Sequence, residues 1–180
     1  MIKSIRFKAF GIAALGAAVA IPLALVATPA QASTATTTFN VTATVTSNCN
    51  VTATNLAFGS YNVLDTAVLN GTSTVAVNCT KDTPFTVALD AGGNAGGATN
   101  FSARAMSNGA TTPSLLDYQL YTNSAGSTVW GNGTQSSSTM SGTGTGPGSP
   151  VNETVYGQIP AGQNVPAGSY TDTVNVTVSY

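Results

Sequence analysis

The stretch TTTFNVTATVTSNC, residues 36–49, alternates without a break. Phe39, Val41, Ala43 and Val45 point one way, and Asn40, Thr42, Thr44 and Thr46 point the other. A side-chain period of two marks a strand with one dry face and one wet face. This strand precedes the first cysteine and lies near the start of the mature chain. A terminal strand pairs within its own domain, or it leaves and pairs elsewhere. Whose sheet it completes decides the fold.

The residues before it read as an export signal. Lys3, Arg6 and Lys8 form a basic start, residues 10–26 are apolar and rich in alanine, and Ala30-Gln31-Ala32 is an A-x-A cleavage signal. Cleavage is expected before Ser33. The apolar run is at the short limit for a membrane span, and no stop-transfer flank follows it. The expected organisation is a signal peptide over 1–32, a terminal-strand segment over 33–48 and one β-sandwich domain over 49–180.

The mature part carries only Lys81 and Arg104 against Asp65, Asp82, Asp90, Asp117, Glu153 and Asp172. The lack of a basic patch argues against a nucleic-acid partner. A chain with so few charges, and so much Thr, Ser, Asn and Gly, suits a protein that ends outside the cell or packed into an assembly. Cys49 and Cys79 are an even pair in an exported chain and read as a disulfide. Closing that loop is worth roughly 3–4 kcal/mol in the chain-entropy account. Reactive thiols would need a neighbouring His or Lys to lower their pKa, and the chain has no histidine.

Without histidine, Ser–His and Cys–His nucleophiles cannot be built. The six acids are scattered, mostly at strand ends and turns, which speaks against a paired-carboxylate site. Asp82 and Asp90 read as turn formers. Asp172 falls on the apolar phase of the last strand and is a candidate buried, paired acid. The chain is therefore expected to be no enzyme, with no metal site and no cofactor. Its N-x-S/T triplets follow from a composition rich in Thr and Asn.

Strands are expected over 49–59, 73–79, 84–90, 115–122, 127–131, 153–160 and 168–180. A phase slip near Asn55 reads as a bulge. The inward sets are Val75, Val77 and Cys79; Phe85, Val87 and Leu89; Leu116, Tyr118 and Leu120; and, in the last run, Tyr170, Val174, Val176, Val178 and Tyr180. No window of the mature chain has a helical period. Residues 91–100 are Gly-rich and 136–150 are of low complexity, and both are expected to be loops, the second mobile. Short strands between Gly, Pro, Asn and Ser turns indicate a sandwich. One strand too many at the start, and none after Tyr180, indicate an all-β, incomplete immunoglobulin-like β-sandwich lacking its last strand.

The order of motifs adds a resemblance. NCNVTATNLAFGSYN, STVAVNCTKDTPFTVALDAGGN, ARAM, LDYQLYT, VWG and VYGQIPAGQNVPAGSYTDTVNVTVSY follow one another over nearly the whole mature chain. This resembles the spore coat protein U domain family, which includes the archaic (Csu-type) chaperone–usher pilins. The closing IPAGQ…PAGSYTDTVNVTVSY is its most specific part. The resemblance implies a subunit whose missing strand is lent by a periplasmic chaperone. At an outer-membrane usher, that strand is then replaced by the N-terminal donor strand of the next subunit. On this sequence the implied donor strand is about 35–46, with Phe39, Val41, Ala43 and Val45 as plugs. The implied acceptor groove lies between the final strand, with Tyr170, Val174, Val176, Val178 and Tyr180, and the strand after Cys49. The implied partners are neighbouring copies or related pilins, the chaperone and the usher. The implied place is an extracellular pilus, reached through the periplasm, that supports adhesion and biofilm formation. The competing expectation is a monomeric secreted surface or spore-coat protein, with carbohydrate binding through Trp130, Tyr121 and Tyr118 as one role open to it.

Overall fold

The computed structural model describes residues 30–180. Apart from residues 30–32, the expected signal peptide lies outside them. The chain divides into two units, Met1–Thr42 and Ala43–Tyr180. In the first, residues 30–42 form neither strand nor helix and are exposed. The stretch expected as a strand from 36 onward belongs to no strand as far as Asn48 and is exposed. Alternation belongs to one chain and a ladder to two, so the pattern marks a capacity for pairing and not a pair.

The second unit is built from β1 (Cys49–Ala53), β2 (Leu69–Cys79), β3 (Pro84–Leu89), β4 (Ala105–Ser107), β5 (Leu115–Asp117), β6 (Gln119–Tyr121), β7 (Met140–Thr143), β8 (Val151–Ile159) and β9 (Val176–Ser179). Among the described residues there is no α-helix, only one 3-10 turn at Phe101–Ala103. A four-stranded sheet runs β1-β2-β8-β6, a three-stranded sheet runs β7-β3-β9, and β4 pairs with β5. All these pairings are antiparallel. The architecture is an incomplete immunoglobulin-like β-sandwich. Among the described residues, β1 and β9 are edge strands, each paired on one side only.

The core follows the alternation of the strands. Val75, Val77 and Cys79 of β2, Phe85, Val87 and Leu89 of β3, Leu116, Leu120 and Val155 are buried, and Trp130 at 0% exposure lies among them. The Trp130 indole donates to the Val87 carbonyl at 3.0 Å, so the ring is seated as well as buried. Cys49 and Cys79 sit opposite each other in the β1–β2 register and are joined by a disulfide. Arg104 is 1% exposed. Its guanidinium donates to Gln119 Oε1 at 2.8 Å and to the carbonyls of Asp90 at 2.6 Å and Trp130 at 2.9 Å. Burial lowers its pKa to about 10, so it remains charged at neutral pH.

Three sequence expectations are corrected. The slip at Asn55 is no bulge, because β1 ends at Ala53 and the chain leaves the ladder after one more bond, Thr54 N–H to the Thr74 carbonyl at 2.9 Å. Residues 136–150 are not all loop, because β7 lies inside them and pairs with β3. Gly142 stands opposite Phe85, and a Cβ there would strike the Phe85 ring, so the glycine leaves room for a core side chain from the neighbouring strand. The 127–131 segment contributes only isolated bridges at Val129 and Trp130.

Glu153 occupies the inward phase of β8, directly across from Val75. Desolvation raises its pKa above the usual carboxylate value. A carboxyl whose folded pKa is raised favours its neutral form in the fold, so the wild type carries a penalty above that pKa that vanishes once both states are protonated. Glu153→Gln is expected to raise the melting temperature at pH 7. The gain should shrink to nothing as the pH falls below about 4, as measured by thermal denaturation across pH.

Candidate functional site

The segment that follows β1 and the segment that precedes β9 flank a cleft of about 510 Å³, with Ala53 and Val176 at the strand ends. One wall is residues 53–58, continuing β1, and the other is residues 170–176, leading into β9. The floor is the core itself: Val75, Leu89, Tyr118, Leu120 and Val155. A second cavity of about 750 Å³ adjoins it and shares Leu56, Phe58, Met106 and Tyr170 as lining.

Local sequence explains each wall. Gly71 of β2 and Gly157 of β8 face each other in register. A Cβ on Gly157 would lie 2.7 Å from Leu56 and 2.8 Å from Phe58. The glycine pair therefore forms a slot in the inner face of the sheet, and Leu56 and Phe58 fill it, fixing residues 54–58 without a ladder. The Phe58 ring lies 6.4 Å from that of Tyr118, tilted by 60°. On the opposite wall the β3–β9 ladder ends at the pair Leu89–Val176. Before it, Thr171 exchanges two backbone bonds with Ser107 of β4, at 2.9 and 3.0 Å. Asp172 accepts from the Tyr118 hydroxyl at 2.7 Å. Burial, reinforced by that bond, pushes the Tyr118 phenol well above its ordinary pKa.

Of the residues assigned to the groove from sequence, Tyr170, Val174 and Val176 line the cleft. Val178 packs against the core, and Tyr180 is 59% exposed. The sequence reading did not single out Leu56, Phe58, Met106 or Val155 for this site. The visible signal for two of them was the alternation of Leu56 and Phe58 in NLAFG. Phe39, Val41 and Val45 are 84%, 83% and 81% exposed, and Ala43 is exposed as well. The N-terminal segment is anchored where it enters the domain. Asn48 N–H donates to Thr80 Oγ1 at 3.0 Å, and Thr80 N–H donates to the Asn48 carbonyl at 2.9 Å, beside the disulfide. Trp130 and Tyr118 are buried in the core, so they and Tyr121 form no exposed stacking platform.

Comparison with known proteins places the chain. The spore coat protein U domain matches residues 35–177. The chain belongs to that family. It is 38% identical over 179 residues to Protein U of Myxococcus xanthus, covering 91% of this chain and 96% of the relative. It also resembles one chain of the crystal structure of the CsuC–CsuE chaperone–tip adhesion subunit pre-assembly complex, from archaic chaperone–usher Csu pili of Acinetobacter baumannii. The TM-score is 0.54 at 28% identity over 76% of this chain, which spans 40% of the length of that one. The fold is thus pilin-like, a structural kind of protein.

The glycine slot makes a direct prediction. Gly157→Val should expel Leu56 and Phe58 from the inner face and destabilise the domain by about 1–3 kcal/mol, the usual range for overpacking a filled site. Urea denaturation with Trp130 fluorescence as the probe measures it.

Proposed function

We propose that the chain is a structural pilin subunit of a bacterial surface fibre, built by the chaperone–usher route through donor-strand exchange. The observation that carries this reading is the cleft: it lies between the segments that continue two edge strands, has core side chains as its floor, and belongs to a chain that also bears an exposed alternating segment. Strand addition needs both features, because main-chain bonds along an open edge supply affinity and alternate side chains in pockets supply register. Residues 33–48 of one copy are the donor, with Phe39, Val41, Ala43 and Val45 as plugs. Tyr170, Val174, Val176 and Val178 form the groove side of the acceptor.

The magnitudes suffice for a long-lived joint. Each large apolar plug contributes about 1.5–3 kcal/mol on burial, and each added backbone bond about 0.5–1.5 kcal/mol net. A head-to-tail joint that does not close into a ring propagates as a filament. In the periplasm a chaperone strand holds the cleft, and at the outer-membrane usher the next subunit replaces it. The assembled fibre serves adhesion and biofilm formation. The family's description as a spore coat protein domain supports a second setting for the same joint, in which strand donation links subunits within a surface coat.

The test uses the mature chain and its Val41→Asp/Val45→Asp variant, each co-expressed with chaperone and usher. Sheared surface material is run on a denaturing gel without boiling. A ladder in the wild type that collapses on boiling, and that is missing in the variant, is the expected result. A protease-resistant wild-type monomer with no ladder would sink the fibre reading.

A further inference from the structure

The C-terminal wall of the cleft, residues 170–175, is held differently from the rest of the sandwich. It lies outside the β3–β9 ladder, whose last register pair is Leu89–Val176 and beyond which one backbone bond remains, from Asp90 N–H to the Asn175 carbonyl at 3.0 Å. Besides the Thr171–Ser107 backbone pair and that bond, side chains do the holding. Asp172 Oδ1 accepts from Gly93 N–H at 2.9 Å, from the Asn94 amide at 3.0 Å and from Thr173 N–H at 2.9 Å, while Oδ2 accepts from Tyr118 at 2.7 Å. Three residues on, Asp90 Oδ1 accepts from Asn175 N–H at 2.9 Å, where a ladder would have used a carbonyl. Asp90 Oδ2 accepts from the Asn175 amide at 2.6 Å. Gly92, at φ +88°, has no room for a Cβ because the Asp172 carboxylate fills that space. The Gly-rich AGGN run is therefore a receptor for one carboxylate.

Asp172 is also the only charged residue among those lining the 510 Å³ cleft. From these contacts we propose that Asp172, seated on residues 92–94 and capped by Tyr118, is a positioning residue for strand capture. It keeps residues 170–175 in the extended path that an incoming strand pairs with. The proposal rests on the strand-donation reading above. A wall held in place before pairing does not have to be ordered by the incoming strand. A loosened wall binds only in the fraction of time it visits the right path, and apparent affinity falls by that fraction through the association step. The other wall and, apart from the Tyr118 hydroxyl, the floor are held without Asp172, because Leu56 and Phe58 are seated in the glycine slot and the remaining side chains belong to the core.

The experiment uses the full mature chain carrying Val41→Asp/Val45→Asp, so that it accepts a strand but does not donate one. The probe is a fluorescent peptide of residues 35–48. Association and dissociation rates are measured separately in this acceptor and after adding Asp172→Asn, Tyr118→Phe or Gly92→Ala. Tyr118→Phe keeps the core ring and removes one bond, so it guards against loss of the fold. The expected result is association slowed about tenfold in Tyr118→Phe and Asp172→Asn, the scale of one lost bond to a carboxylate, with dissociation changed less than about twofold. Unchanged association in both would overturn the proposal alone. So would slower association matched by equally faster dissociation and a lowered melting temperature, since that marks general destabilisation. Failure of the peptide to bind the starting acceptor would overturn strand donation itself, and the proposal with it.

Discussion

The structure depends on an unequal division of backbone hydrogen bonding. β2 and β8 are paired on both sides, and β3 is the interior strand of its three-stranded sheet. β1 and β9 are paired on one side each, and the segments that continue them, 54–58 and 170–175, wall the same cleft. Backbone donors and acceptors on an unpaired edge must stay in reach of water or of a partner. The inward side chains of the same strands belong to the core. The cleft therefore combines polar rims with an apolar floor. Few ligands match both at the spacing of a sheet, and an alternating strand does, because its backbone and its inward side chains repeat with the same period.

The polar groups that frame this cleft gain weight from the scarcity of charge elsewhere. Only 6% of the chain is charged, and three of these residues meet around the end of β3. Arg104 donates to the Asp90 carbonyl, Asp90 accepts from Asn175, and Asp172 accepts from Tyr118. Among the described residues, Arg104 has no carboxylate as a hydrogen-bond partner and is held by carbonyl and amide oxygens instead. Its ring neighbour Phe101 lies 5.3 Å from the guanidinium carbon. A buried cation bonded to three separate segments fixes them relative to one another, which is a matter of geometry more than of net stability. Tyr118, whose N–H donates to the Arg104 carbonyl at 3.0 Å, joins this cluster to the cleft wall through its hydroxyl on Asp172.

Most strands were legible because alternation states which side chains face inward. Val75–Val77–Cys79, Phe85–Val87–Leu89 and Leu116–Tyr118–Leu120 are buried as that pattern requires. The misreadings share one cause. β7 was hidden in a run of Ser, Thr and Gly because the information that makes it a strand lies in Phe85, on the neighbouring strand. The slip at Asn55 gave no sign that Leu56 and Phe58 leave the ladder for a slot formed by Gly71 and Gly157, residues far along the chain. Tyr170 and Val174 kept the apolar phase of a strand while their backbone left the β3 ladder. Asp172 stood out only as an acid in an apolar phase. Its receptor, Gly93 and Asn94, is separated from it by 79 and 78 positions, a distance that no local period encodes.

The way the N-terminal segment enters the domain bears on where its strand pairs. Joined directly to β1, the segment could double back along β1 only through a tight reversal at Ser47 and Asn48. Hairpin turns that short demand left-handed backbone at their centre. Here the same two residues are already committed. Asn48 is bonded through its N–H and its carbonyl to Thr80, and the Thr83 hydroxyl donates to Ser47 Oγ at 3.4 Å. The neighbouring disulfide holds Cys49 against Cys79 and keeps the clamp in register with the start of β1. A reversal would break these bonds before it gained any in the cleft. The cost of folding back therefore falls at the base of the segment, whereas donation to another copy leaves the base intact. Within the proposed strand donation, this difference weighs for a neighbouring copy over the segment's own domain as the acceptor.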